Sequence, residues 1–178
     1  MVKQLNANLQ FYRYLHAFNL PNSVPLPNWF DPVLPEMTFN SEQQSVNWNI
    51  PADVALPADT NQLAFYTIAQ LSSLLRHKKI TSVQLSQFFI NRLKKYGDTL
   101  HCVVSLTEQI AMEEARLADE AFAKGIYKSP LQGIPYGLKD LFAVKGTRTT
   151  YGTPPFKYQV IDADAFVYQQ LKKAGAVL

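Results

Sequence analysis

Apolar residues recur at helical spacing over most of the chain, with one long interruption. Leu9, Tyr12, Leu15 and Phe18 stand three apart and predict one short helix within residues 1–20. Residues 21–60 have no period, and their prolines disfavour helix and central strand alike. They still hold Trp29, Phe30, Phe39 and Trp48. Large rings in a non-periodic segment predict a strap lying on a neighbouring surface. From residue 65 the pattern sharpens. Thr67 and Gln70 have capping-box spacing, with Tyr66 and Leu71 placed as a hydrophobic staple. Ile68, Leu71, Leu74 and Leu75 then share one helical face. The same signals repeat at Thr81 and Gln84, flanked by Ile80 and Leu85, and Gly97 is the expected stop. His101–Leu106 predicts a short buried strand. Thr107 is placed to cap a helix over 108–124, closed by Gly125. Its Ala111, Ala115, Ala118 and Phe122 form a face of mostly small residues that implies close approach to another element. A last helix runs from about Ala163 to Ala174, capped by Asp162 or Asp164 and stopped by Gly175. Ala176-Val177-Leu178 reads as the start of a strand.

Helices alternating with short apolar strands predict an α/β class. Two or three strands could not cover four helices. Either further strands lie in the irregular parts, or chain beyond Leu178 completes the sheet.

Composition divides the chain. Seven of the eleven prolines lie between Pro21 and Pro57, and all seven glycines lie at or after Gly97. Residues 1–60 carry two basic and five acidic side chains, against fifteen and nine in 61–178. The expected organisation is a Pro-rich extension, 1–60, and a domain over 61–178. Apolar residues are 47% and charged residues 17% of the 178, which excludes a wholly disordered chain. A mean hydropathy of −0.12, with no apolar run of eighteen, excludes a membrane-spanning helix. Arg13 and His16 interrupt any signal-peptide core, and the single Cys102 fits a reducing compartment, so a cytoplasmic location is expected. A net charge of +3 does not call for nucleic acid. The basic clusters Arg76–Lys79 and Arg92–Lys95 are expected in last helical turns, where they complement the helix dipole. His101 and Cys102 would point to opposite faces of a strand and make no metal site.

Chemistry concentrates in Gly133-Ile-Pro-Tyr-Gly-Leu-Lys-Asp-Leu-Phe-Ala-Val144, where Lys139 and Asp140 are the only charges. Apolar flanks on both sides predict a dehydrated ammonium. The usual relief is a lowered pKa or an anionic partner. A neutral lysine can serve as a general base. The local pattern by itself favours the plainer role, an ion-paired or snorkelling lysine. A phosphate loop fits poorly, because Gly133 and Gly137 are too close and Asp140 follows the lysine. Gly133 and Gly137 leave room for another backbone. Asp140 is expected to pair with Lys145 or Arg148, or to cap local amides. The hydroxyls of 146–153 are expected to satisfy their own backbone. Ser105 and Ser129 read as structural.

Residues 65–178 resemble the N-terminal part of the amidase signature family. The resemblance runs from the two capped helices through the Ala-rich helix and peaks at Pro130-Leu-Gln-Gly-Ile-Pro-Tyr-Gly-Leu-Lys-Asp140. It continues through Lys145–Thr153 to Leu171–Leu178. It implies a mixed sheet covered by helices and a Ser–cis-Ser–Lys triad, of which Lys139 is the lysine. It also implies a small-molecule amide substrate, with no metal or organic cofactor. Both serines belong to family segments that follow residue 178, so the chain as it stands is expected to be inactive. Two other readings stay open. One is the glutaminase subunit of a tRNA-dependent amidotransferase, which works with partner subunits; residues 1–60 do not look like that subunit. The other is a non-catalytic binding module. The oligomeric state is open, a homodimer included.

Overall fold

A computed structural model describes residues 2–17, 36–38, 42 and 46–178. The chain divides into two compact units, Met1–Ser45 and Val46–Leu178. Of the expected strap rings, Trp29, Phe30 and Phe39 lie outside the described residues. Trp48 is described and is 62% exposed, so its ring does not pack as expected, whereas residues 53–55 do lie on a neighbouring surface: Val54 packs on the core, and its C=O accepts from the Lys79 ammonium at 2.8 Å.

In the first unit, helix α1 spans Val2–His16, as the spacing predicts, and Phe18 lies outside the described residues. Leu5, Leu9, Tyr12 and Leu15 on it are exposed.

In the second unit, a 3-10 turn at Thr60–Phe65 leads into α2, Ile68–Arg76, and α3, Ser82–Leu100. Both capping boxes form. The Gln70 N–H donates to Thr67 Oγ1 at 3.3 Å, and the Thr67 N–H to Gln70 Oε1 at 2.8 Å. The Thr81 and Gln84 pair repeats this at 3.0 Å in each direction. Asp119 adds a carboxylate at the start of α3, accepting the Ser82 and Val83 N–H groups at 2.7 and 3.1 Å. A negative charge there suits the positive end of the helix dipole.

Helix α3 passes through the expected stop at Gly97 and ends at His101, which takes the left-handed conformation at φ 49°. Gly97 is needed for space: a Cβ there would stand 2.8 Å from Val103 Cγ2. The longer helix has two consequences. Arg92–Lys95 no longer occupy a last turn, and Arg92 instead lies over the Phe88 and Tyr96 rings. The expected buried strand at His101–Leu106 is absent. Val104 is 55% exposed, and no backbone hydrogen bond among the described residues ties 103–106 to a neighbour. Strand propensity is realised only against a partner edge.

Helix α4, Glu108–Ala123, buries Ala111, Ala115, Ala118 and Phe122 as their spacing predicts, and packs on α3. The Thr107 side chain does not cap it; its hydroxyl donates to the Leu178 C=O at 3.2 Å. Helix α5 spans Phe166–Lys173 and lacks the expected aspartate cap. Asp164 instead accepts the Lys145 N–H at 2.8 Å, and Asp162 pairs with the Lys145 ammonium. Gly175 stops α5 at φ 85°.

The core is one cluster beneath α2 and α3, built on Leu74, Leu75, Leu85, Phe122 and Ile134, with Val54 and Tyr66 packed against it. A second joins Ile90, Ala111, Ala115 and Val177. Extended pairing among the described residues is confined to two isolated bridges, parallel at Pro135–Val177 and antiparallel at Arg148–Val160. The unit is therefore helical where the pattern predicts α/β. Val177 does begin an extended pairing, but a single paired neighbour does not make a regular sheet.

Candidate active site

The segment carrying Lys139 is fastened from both sides before it turns into the open. Ser129 Oγ donates to the Ala174 C=O at 2.7 Å and accepts the Leu131 N–H, the structural role its sequence setting predicts. The buried Gln132 side chain bonds the Lys128 N–H and the Ile126 C=O. Gly133 sits at φ 73° and donates to the Gly175 C=O at 2.8 Å. Its own C=O accepts from Ser82 Oγ at 2.9 Å. The Val177 N–H then donates to the Ile134 C=O, and the Tyr136 N–H to the Val177 C=O, at 2.9 and 2.8 Å. This alternation is parallel pairing.

Gly133 is the exacting position. An added Cβ would stand 3.1 Å from Ser82 and 3.2 Å from Phe122, on a backbone that already disfavours L side chains. Gly133→Ala should cost about 2 kcal/mol from the left-handed strain and the crowding together. Gly137, with open space around it, should accept alanine at well under that cost. Urea unfolding of both variants checks this, and equal stabilities would show that the Gly133 constraint is not real.

Beyond Gly137 the chain turns at Lys139, whose C=O accepts the Leu141 and Phe142 N–H groups. Asp140 holds the far side. Its carboxylate accepts the Thr150 N–H at 2.8 Å and the Thr150 hydroxyl. It thus caps local groups, one of the roles its position predicts, while Lys145 goes to Asp162. Burial pushes the Asp140 pKa up, but the Thr150 and Gly152 hydrogen bonds and the nearby Arg148 outweigh it and leave the pKa lowered. A lowered carboxylate stabilises the fold above the ordinary value of 3.8 and loses that contribution as pH falls below it. Asp140→Asn should therefore be less stable than the native chain at neutral pH. The gap should close below about pH 4, which melting curves across the acid range would read. A gap independent of pH would remove the charge from the explanation.

The Lys139 side chain is exposed and has no hydrogen-bond or ion-pair partner among the described residues. The dehydrated setting expected from its flanks is not present. Leu141 and Phe142, the apolar flank itself, face outward as well. Apolar neighbours in sequence exclude water only when they pack over the charge. Lys139 instead stands on the wall of a groove of about 870 Å³, with Arg148, Leu141 and Phe142 beside it and Phe89, Leu93 and Leu106 also lining it. A lysine at the edge of an apolar groove can donate hydrogen bonds to a polar group bound there.

One cluster was not anticipated from the sequence: Glu114, Tyr136, Tyr168 and Lys172. Glu114 accepts from Tyr168 Oη at 3.1 Å and from the Leu178 N–H at 2.9 Å. Burial, followed by Glu114 and Tyr168, pushes the Tyr136 pKa up. A signal was present: Glu114 falls three residues after Ala111, on the face of α4 that is otherwise apolar.

A family model described as Amidase matches residues 84–178, more than half of the chain and the whole of the segment just described. This chain belongs to the amidase family. The A-type subunit of the glutamyl-tRNA(Gln) amidotransferase of Coxiella burnetii is 43% identical over 112 residues, 63% of this chain and 23% of that protein. Its counterpart in Moorella thermoacetica is 36% identical over 117 residues, covering 66% and 24%. Among solved structures, the native peptide amidase of Stenotrophomonas maltophilia superposes with a TM-score of 0.60 at 29% identity, over 64% of this chain and 24% of that one. An amidase family protein from Bacillus anthracis gives the same score and identity, over 66% and 24%. The fold of the matched part is thus shared, and the chain spans about a quarter of the length of these relatives.

Proposed function

We propose that this chain is the N-terminal part of an amidase that hydrolyses a carbon–nitrogen amide bond, with Lys139 as the base of a Ser–cis-Ser–Lys triad. The observation that carries the reading is the presentation of Lys139: a braced turn holds an unpaired amine at the edge of a groove. A serine hydroxyl is a weak nucleophile and needs an adjacent base. Lys139 takes the proton of the middle serine, which takes that of the nucleophilic serine as it attacks the amide carbonyl. The amine leaves with a proton, and water then releases the acid from the acyl-enzyme. Both serines, and the strands that extend the Pro135–Val177 pairing into a mixed sheet, come from the part of the family's length that this chain does not span. Their closure over the groove provides the dry setting that the 178 residues leave open. Residues 1–60 are an extension outside the part shared with the family. Catalysis takes place in the cytoplasm, on a small-molecule amide.

A second reading is favoured by the names of the curated relatives: the glutaminase subunit of a tRNA-dependent amidotransferase. Ammonia release by the complete protein separates the two. Turnover of simple amides without any partner supports the amidase. Release from glutamine alone, only with a co-purified partner, supports the amidotransferase component. No release from either overturns both and leaves a binding module.

A further inference from the structure

We propose that Glu114 is a positioning residue for Lys139, an inference that rests on the amidase reading. Its side chain is 10% exposed, and burying a carboxylate is costly unless its oxygens are used. Both are used. One oxygen accepts the Tyr168 hydroxyl at 3.1 Å and lies 3.5 Å from the Lys172 ammonium, which itself donates to Tyr168 Oη. The other accepts the Leu178 N–H at 2.9 Å. The Leu178 bond is the informative one. Val177 commits its N–H and C=O to Ile134 and Tyr136. Successive backbone groups of an extended chain point to opposite sides, so those of Leu178 face away from that pairing. There they meet Glu114 and the Thr107 hydroxyl, from α4 and the residue that precedes it. Glu114 thus pins residues 177–178 from the side that Ile134 and Tyr136 do not reach. Tyr136 hangs on Val177 three residues before Lys139. The buried Tyr136 hydroxyl has no hydrogen-bond partner among the described residues, and burial first, then the Glu114 charge, pushes its pKa up. With Asp140 fixed by Thr150 on the far side, the lysine turn is set between two carboxylates, neither of which touches its ammonium.

The mechanism is geometric. A base displaced by about 1 Å can lose on the order of a hundredfold in rate with little change in binding. The test uses the complete protein, assayed on whichever of acetamide, benzamide and L-glutamine it turns over fastest, and read as ammonia released. Glu114→Leu, of similar size but without an acceptor, should lower kcat about 10- to 100-fold with KM within about twofold of native. Glu114→Gln keeps the shape and an acceptor oxygen, so it should recover most of that loss. Its residual deficit should be about two- to fivefold, with faster hydrogen exchange at the Leu178 amide, because an uncharged acceptor bonds more weakly. A folded Glu114→Leu with native kcat overturns the proposal. So does a loss that appears in KM alone. Should Glu114→Leu not fold, Glu114→Gln decides: native kcat together with native exchange at Leu178 is the overturning result. Lys139→Ala in the same assay separates the two failures. If it still turns over substrate, the base assignment falls and its positioning with it. If it is inactive while Glu114→Leu is native-like, only the role of Glu114 falls.

Discussion

On the proposed triad, Lys139→Ala is expected to lower the kcat/KM of the complete protein by about 10³-fold or more, because general-base catalysis is worth about 10² to 10⁴ and a serine hydroxyl is a weak nucleophile without its base. The fold should be untouched. The side chain is exposed and partnerless among the described residues, and substitutions at such surface positions move stability by only about 0.5 kcal/mol. A clean separation of activity from stability is therefore the expected signature. Lys139→Arg sharpens it. Arginine keeps the positive charge and much of the reach, but stays protonated at any working pH. If charge alone mattered, arginine would restore activity; if the lysine must become neutral, arginine is as inactive as alanine. We expect the second result. Normal turnover by Lys139→Ala would sink the assignment, whatever the family resemblance.

Leu85→Ala should be strongly destabilising, at about 3 kcal/mol within the usual range of about 2 to 5 for a buried leucine. Leu85 is fully buried and has two roles. It fills the cluster of Leu74, Phe122 and Ile134, and it stands four positions after the Thr81 cap. There it pairs with Ile80 as the staple that sets where the chain enters α3. Alanine removes the buried atoms and leaves a cavity at the same time, so the transfer and cavity costs add. A drop in melting temperature of roughly 6 to 12 °C corresponds to this for a chain of the present size. Leu93→Ala, on the same helix and 41% exposed, is the control and should cost less than about 1 kcal/mol. Equal effects from the two leucines would mean that the core does not lie where the burial places it.

Several parts of this molecule were legible along the chain because they depend on residues only a few positions apart. The two capping boxes are three-residue reciprocal bonds, and both form as spaced. The alanine stripe of α4 is buried because a helix puts those residues on one side whatever it packs against. Ser129 bonds its neighbouring turn, as its position before Pro130 suggests. The chemical segment could also be singled out, since Lys139 and Asp140 are the only charges in a long apolar run.

What failed did so wherever a distant partner made the choice. Gly97 has the conformational freedom of a helix stop, yet α3 continues through it, and the missing Cβ instead leaves room for Val103. Asp164 is a good cap by type, but the Lys145 N–H takes its carboxylate first. His101–Leu106 has strand composition but pairs with no edge among the described residues, and it is irregular there. Thr107 gives its hydroxyl to Leu178, 71 residues away, and not to its own helix.

The pattern along the chain thus determined where the five described α-helices lie, which face three of them bury and which short segment concentrates isolated charge. These are local matters of period, cap and charge isolation. Packing alone decided that the lysine stands in solvent and not in a dry pocket, and that a carboxylate on the apolar face of α4 accepts the Leu178 N–H. The reason is that water exclusion and long-range hydrogen bonds belong to surfaces brought together in space, and no local spacing encodes which surfaces those will be.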